Sequence, residues 1–205
     1  MVNAVSSQAW ATPRTPSVGV QFMLACAPDE PIYTQGDPAH ALYAILAGAV
    51  RTVRHSRDGR RQIGAFYYAG DLFGLTANDE HDYTAEALCP TRIVSFERSS
   101  TGGDGATVAA ALCELSRVHG HLAMLGRRSA EEKVASFLVD MARRGASDRT
   151  RLPMSRQDMA DYLGLALETV SRVLSRFKDE GLVSFTSSRH FQIVRGAALN
   201  RLAET

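Results

Sequence analysis

Glu168, Ser171 and Arg172 stand at i, i+3 and i+4, a spacing that gathers all three on one face of a helix near its N-terminus. Those side chains suit the edges of base pairs. An arginine grips guanine O6 and N7 with two donors, a glutamate accepts from cytosine N4, and a serine bonds either way. Glu168 and Arg172 alone would equally suit the i, i+4 ion pair of an ordinary solvated helix, so the flanking chain has to decide. Val170, Val173, Leu174 and Phe177 recur at three- and four-residue steps and must face a core, which leaves the polar trio outward. Upstream, Ser155 is placed to cap a first helix, Asp158 lies in its first turn against the helix dipole, and Met159 and Leu163 share a face. Gly164 supplies the left-handed residue that a sharp turn requires, and Leu165 can plug the corner between the two helices. Two crossed helices of this kind, the second presenting its N-terminal residues, have the layout of a DNA-reading helix-turn-helix.

Immediately downstream, Gly181 closes the second helix. Val183 and Phe185, then Phe191 and Ile193, alternate with polar residues on either side of a polar turn at 186–190. That pattern is a two-stranded wing with Arg189 at its tip. A base reader also needs phosphate contacts to set its register. Ser155, Arg156, Gln157 and Thr169, at the N-termini of the two helices, and Arg189 in the wing are the candidates.

The elements that must carry this unit lie before it. Val108, Leu112, Leu115, Val118, Leu122 and Leu125 advance by three or four residues through about five helical turns. The stripe approaches a coiled-coil seam and is expected to be a homodimer interface, the other reading being packing against the chain's own barrel. Earlier still, short strands are predicted at 31–34, 42–46, 50–55, 62–67, 85–88 and 92–96, with Asp58 and Gly59 marking a hairpin. Such spacing predicts a small antiparallel jelly roll. The expected fold class is therefore α+β, divided into a flexible tail (1–20), a jelly roll (21–103), a dimerisation helix and hinge (104–140) and a winged helix-turn-helix (141–205).

Composition sets limits on the partners. A formal net charge of +1 over 205 residues is too small to coat nucleic acid through bulk charge, so binding must use a local patch, and arginines do concentrate in the last third. No apolar run is long enough to span a bilayer and the polar, Pro-containing start is unlike a signal peptide, so the expected location is cytoplasmic, with no membrane partner. Cys26, Cys89 and Cys113 are odd in number and form no CxxC pair, which predicts reduced thiols rather than disulfides or a metal site.

Jelly roll, long helix and winged helix in that order resemble the Crp/Fnr family of bacterial transcription regulators. The resemblance covers nearly all of the chain after the tail. It is carried by residues 42–51 (LYAILAGAVR), 58–61 (DGRR) through 69–74 (AGDLFG), 131–138 (EEKVASFL) and, most specifically, 168–172 (ETVSR). With 161–165 (DYLGL), the chain looks most similar to the FixK-type branch. The resemblance implies a homodimeric regulator of transcription that binds a palindromic TTGA-type site on double-stranded DNA, read by Glu168, Ser171 and Arg172, and activates promoters by touching RNA polymerase. Ser56, Arg57 and Asp58 occupy the hairpin where family members present a polymerase-contacting loop, an ordinary solvated turn being the other reading.

The departures from the family are equally specific. Its cyclic-nucleotide site implies a glutamate just after the Phe-Gly turn and an Arg-Ser pair before the next strand. This chain has 74–76 (GLT) and 83–86 (YTAE) there, so that Leu75 and Tyr83 stand at those places and Glu86 adds a repelling charge. Its oxygen-sensing branch implies a cysteine cluster, of which only Cys26 has a counterpart near the N-terminus. No cofactor is expected. Effector gating remains open as the alternative, through an unknown small ligand or a haem on His81, His119 or His121. A cupin-like metalloenzyme is the remote alternative, disfavoured because His40, His55 and His81 fall in separate turns without an HxH pair. The chain is accordingly read as no enzyme and as holding no metal.

Overall fold

The computed structural model describes residues 20–56, 59–97, 105–144 and 150–204. The expected tail lies outside them except for Val20, as do Arg57 and Asp58. Eight strands come first: β1 (Val20–Cys26), β2 (Pro31–Tyr33), β3 (Ala41–Ala47), β4 (Ala49–His55), β5 (Arg61–Tyr68), β6 (Leu72–Phe73), β7 (Thr84–Ala87) and β8 (Thr91–Glu97). They pair antiparallel into two four-stranded sheets, ordered β1-β8-β3-β6 and β2-β7-β4-β5, the jelly roll that the strand spacing predicts. Between the sheets lie Ile45, Val50, Tyr67, Phe73 and Ile93, the inward side chains of alternating strands. Gly48 makes the switch from β3 to β4 with φ of 97°, and a Cβ there would fall 2.3 Å from Thr91 Oγ1, so neither the backbone angle nor the space admits another residue. β1 and β6 escape sequence reading. β6 has two residues, and in β1 the consecutive Phe22, Met23 and Leu24 are all exposed, so no alternation marks that strand.

Two helices follow, α1 (Gly105–Leu125) and α2 (Ala130–Arg144). α1 has two opposed faces. Ala110, Glu114, Arg117, His121 and Met124 turn inward: Tyr67 donates its hydroxyl to Glu114 at 3.0 Å, and Arg117 donates to the Phe66 carbonyl at 3.0 Å while its guanidinium lies 4.5 Å above the Tyr67 ring. Val108, Leu112, Leu115, Val118 and Leu122 lie on the other side and are exposed. Packing of the stripe on the chain's own barrel is therefore not what the structure shows. Leu125 departs from the rest of the stripe: it is half-buried, with its Cδ2 against the turn at Gly164.

The C-terminal unit comprises β9 (Thr150–Arg151), α3 (Arg156–Leu163), α4 (Leu167–Asp179), β10 (Val183–Ser187), β11 (His190–Ile193) and α5 (Gly196–Glu204). The wing is a three-stranded sheet ordered β10-β11-β9, one strand more than the sequence suggests. α2 buries Val134, Phe137, Leu138 and Met141 on the side that packs against α4 and α5, and Ser136 donates its hydroxyl to the Ala203 carbonyl at 3.0 Å. The boundary expected at 141 falls within this helix, whose buried side chains pack against α4 and α5. One apolar core runs from Val53, Ile63 and Phe66 of the barrel through Phe137 into Tyr162, Leu163 and Leu174. No helix among the described residues is long and apolar enough to cross a membrane.

Candidate nucleic-acid interface

α3 begins with a reciprocal cap. The Ser155 hydroxyl accepts from the Asp158 backbone N–H at 3.0 Å, and the Asp158 carboxylate accepts from the Ser155 N–H at 2.9 Å and its hydroxyl at 2.8 Å. The helix ends at Gly164, left-handed with φ of 63°, whose N–H returns to the Ala160 carbonyl. α4 then leaves at an angle with Val170, Val173, Leu174 and Phe177 buried. The opposite face carries Glu168 and Arg172, both exposed, with Ser171 half-buried between them. No ion pair joins Glu168 to Arg172 among the described residues, whereas one turn further on the same spacing is closed, with Arg176 donating to Glu180 at 2.8 Å and to Glu131 at 3.1 Å. The groove continues past Arg172 along Ser175 and Asp179.

The expected phosphate-contacting residues are partly brought together. Ser155, Arg156, Ser188 and Arg189 line one cleft of about 210 Å³ between α3 and the wing. Ser188 is the member that sequence reading leaves unassigned inside the wing turn. Arg156 and Gln157 are exposed in the first turn of α3, Gln157 donating to Asp161 at 2.6 Å. Arg189 donates to the Pro153 carbonyl at 2.7 Å, which ties the wing to the chain before α3. Thr169 lies half-buried near the start of α4. Ser155 spends its hydroxyl on the cap with Asp158. Ser56 is exposed at the β4–β5 hairpin, where its hydroxyl donates to the Arg60 carbonyl at 3.0 Å.

Sequence reading missed what lies behind this surface. Asp158 accepts from Arg61 of β5 at 2.7 Å and from Arg51 of β4 at 3.2 and 3.3 Å, and Arg61 also reaches Asp161 at 2.7 Å. Arg51 is itself held by Glu86 at 2.8 Å and Asp29 at 2.8 Å. Glu86 is thus neutralised by its cross-strand partner, which corrects its reading as a free repelling charge. His121 Nε2 lies 2.7 Å from the Tyr162 carbonyl with its ring stacked 3.8 Å from the Tyr162 ring, and burial lowers its pKa against the opposing pull of that carbonyl. The neutral imidazole must then carry its hydrogen on Nε2 to donate there. His81 is buried and stacked 3.6 Å from Tyr33; His40, His55 and His119 are exposed. Among the described residues no group of three or more His, Cys, Asp or Glu is gathered to hold a metal. Cys26 and Cys89 are buried and Cys113 is exposed.

The Crp-like helix-turn-helix domain family matches residues 132–202 and the cyclic nucleotide-binding domain family matches residues 24–102. The nitrogen fixation regulation protein FixK of Rhizobium meliloti is 40% identical over 189 residues, 91% of this chain and 90% of its own. The FixK of Azorhizobium caulinodans is 36% identical over 98% of this chain and 87% of its own. The chain belongs to the Crp/Fnr family. The solved structure of FixK2 from Bradyrhizobium japonicum superposes on this Crp/Fnr protein with a TM-score of 0.82 at 39% identity, covering 88% of this chain and 96% of that one. Its relatives are transcription regulators of the FixK and Fnr type, and it is a DNA-binding transcription regulator, not an enzyme.

Burial pushes the Asp158 carboxyl up, but the Ser155 N–H, the Arg61 guanidinium, the Ser155 hydroxyl and the Arg51 charge outweigh it and hold the group below the ordinary aspartate range. A folded-state pKa below the unfolded value of about 3.9 gives stability that is present above that pH and lost as the pH falls through the folded value. The difference in urea midpoint between the parent and Asp158→Asn should therefore be full at about pH 6 and shrink below about pH 4. A difference that stays constant through this range would contradict the assignment.

Proposed function

We propose that this regulator is a homodimer that reads an inverted-repeat DNA site with TTGA-type half-sites, works without a cyclic nucleotide or an iron–sulfur centre, and activates promoters through RNA polymerase in the cytoplasm. The observation that carries the reading is the geometry of α1. Its inward face is spent on the barrel and on α3, while Val108, Leu112, Leu115, Val118 and Leu122 stand exposed on the other side, an apolar stripe that a second copy of the same helix would cover. A two-fold axis along α1 sets two α4 helices in opposed directions, which demands half-sites about one helical turn apart. Glu168, Ser171 and Arg172 read bases in each half-site. Arg156, Gln157, Thr169 and Arg189 hold phosphates, with Ser155 presenting the N-terminus of α3. The chain divides in function into a barrel, a dimer helix and a reading unit.

Ligand independence is supported by the interior of the barrel. Gly64 of β5 leaves room for the Tyr83 ring, which would lie 2.7 Å from a Cβ at that position, and Tyr33, Tyr43, Tyr67 and Phe73 of the same barrel pack ring on ring. These residues do not fit a cyclic phosphate, which calls for a guanidinium where Tyr83 stands. Polymerase contact rests on the family's use of the β4–β5 hairpin, of which Ser56 is described and Arg57 and Asp58 lie outside the described residues.

Light scattering at micromolar concentration should give a dimer without added ligand, and Leu115→Asp should yield a folded monomer by placing a charge in the seam. A soluble monomeric parent would overturn the dimer. In titrations on matched, mismatched and random duplexes at two salt concentrations, Arg172→Ala should cost about 1–3 kcal/mol per half-site and flatten preference at one base pair. Arg156→Ala should weaken binding to every sequence alike and make the salt dependence shallower. An Arg172→Ala variant with unchanged discrimination would show that the base-reading face has been misassigned.

A further inference from the structure

We propose that Arg51 and Arg61 of the barrel are positioning residues for DNA reading: by gripping Asp158 they fix the helix-turn-helix in its reading orientation, although neither touches the bases. The inference rests on α4 being the base-reading helix. Three features support it. The carboxylate of Asp158 is almost fully buried and accepts from two guanidiniums while it also caps α3, so the helix end and the joint to the barrel are one bonded unit. Arg51 cannot follow a departing helix, because Glu86 and Asp29 pin its other nitrogens to the barrel. Arg61, in contrast, has its hydrogen bonds to Asp158 and Asp161 of α3, so its loss loosens the joint without disturbing the barrel. The grip has an electrostatic consequence as well. Asp158 and Asp161 sit on the helix whose first turn must approach phosphates, and the barrel arginines neutralise both, leaving Arg156 as the exposed charge of that turn.

A reading unit held in one orientation binds with its intrinsic affinity, whereas one that wanders binds weaker by the fraction of time it is correctly placed. Arg61→Gln in the full-length protein should therefore lower affinity for the matched site on the order of tenfold, with circular dichroism and dimerisation as in the parent. The slope of log affinity against log salt should change by much less than the unit or so that a lost phosphate contact would remove, because only the indirect charge at Asp158 and Asp161 is altered. Arg61→Lys restores a charge but not the two-pronged grip, and should recover part of the loss. Fluorescence anisotropy on one duplex over a range of salt concentrations reads all three. Unchanged affinity in Arg61→Gln overturns the proposal. A slope shallower by about one unit per contact also overturns it, by making Arg61 a phosphate ligand. A rise in affinity overturns it too, since the docked arrangement would then be the closed one. If the parent itself failed to distinguish matched from random DNA, the assignment of α4 would fall before any Arg61 variant is considered.

Discussion

The carboxylate of Asp158 is the point through which the parts of the molecule are held together. A buried anion is costly unless it is paired and fully hydrogen-bonded, and this one is satisfied from two directions: by the N-terminal turn of its own helix and by arginines on two barrel strands. Removing either set leaves a charge without its compensation. The helix-turn-helix can leave the barrel only by exposing or abandoning that charge, so contacts within the folded chain hold it in place.

Around this polar joint lies an aromatic one. Tyr162 of α3 meets Phe66 of the barrel at a ring distance of 5.0 Å, Phe137 of α2 at 5.9 Å and His121 of α1 at 3.8 Å. Its phenol is pushed up to about 12 by burial and by Asp140, so it stays neutral and acts through packing. The helix whose outer face is apolar thus touches the reading unit with its inner face at His121. α1 and α3 are thus joined directly through a stack of rings. The jelly roll, filled with its own aromatics, carries both Phe66 of the aromatic joint and the arginines of the polar one.

What the sequence reveals follows from the range of the interactions. The exposed face of α4 could be read because Val170, Val173, Leu174 and Phe177 impose a helical period that fixes where Glu168 and Arg172 point, and because Gly164 can be recognised as a turn from its type alone. The strands β3, β4, β5 and β8 alternate enough to be found. The grip on Asp158 leaves no such trace, since its partners lie 107 and 97 residues away and an aspartate in the first turn of a helix is already explained by capping. Glu86 misleads for the same reason: its neutralising partner Arg51 sits across the sheet. Leu125 carries the period of the exposed stripe, yet α1 ends there and the side chain turns to the corner at Gly164, where tertiary packing overrides periodicity.

The central claim is that the reading unit is docked on the barrel before any ligand or DNA arrives. Pulsed electron resonance between spin labels at Ala69 in the barrel and Asn200 on α5, both exposed, measures it directly, in a Cys113→Ser background diluted with unlabelled protein so that only distances within one chain are seen. The account predicts one narrow distance distribution in the free protein, unchanged on adding a specific duplex. A broad distribution, or one that shifts and sharpens only with DNA, would contradict it.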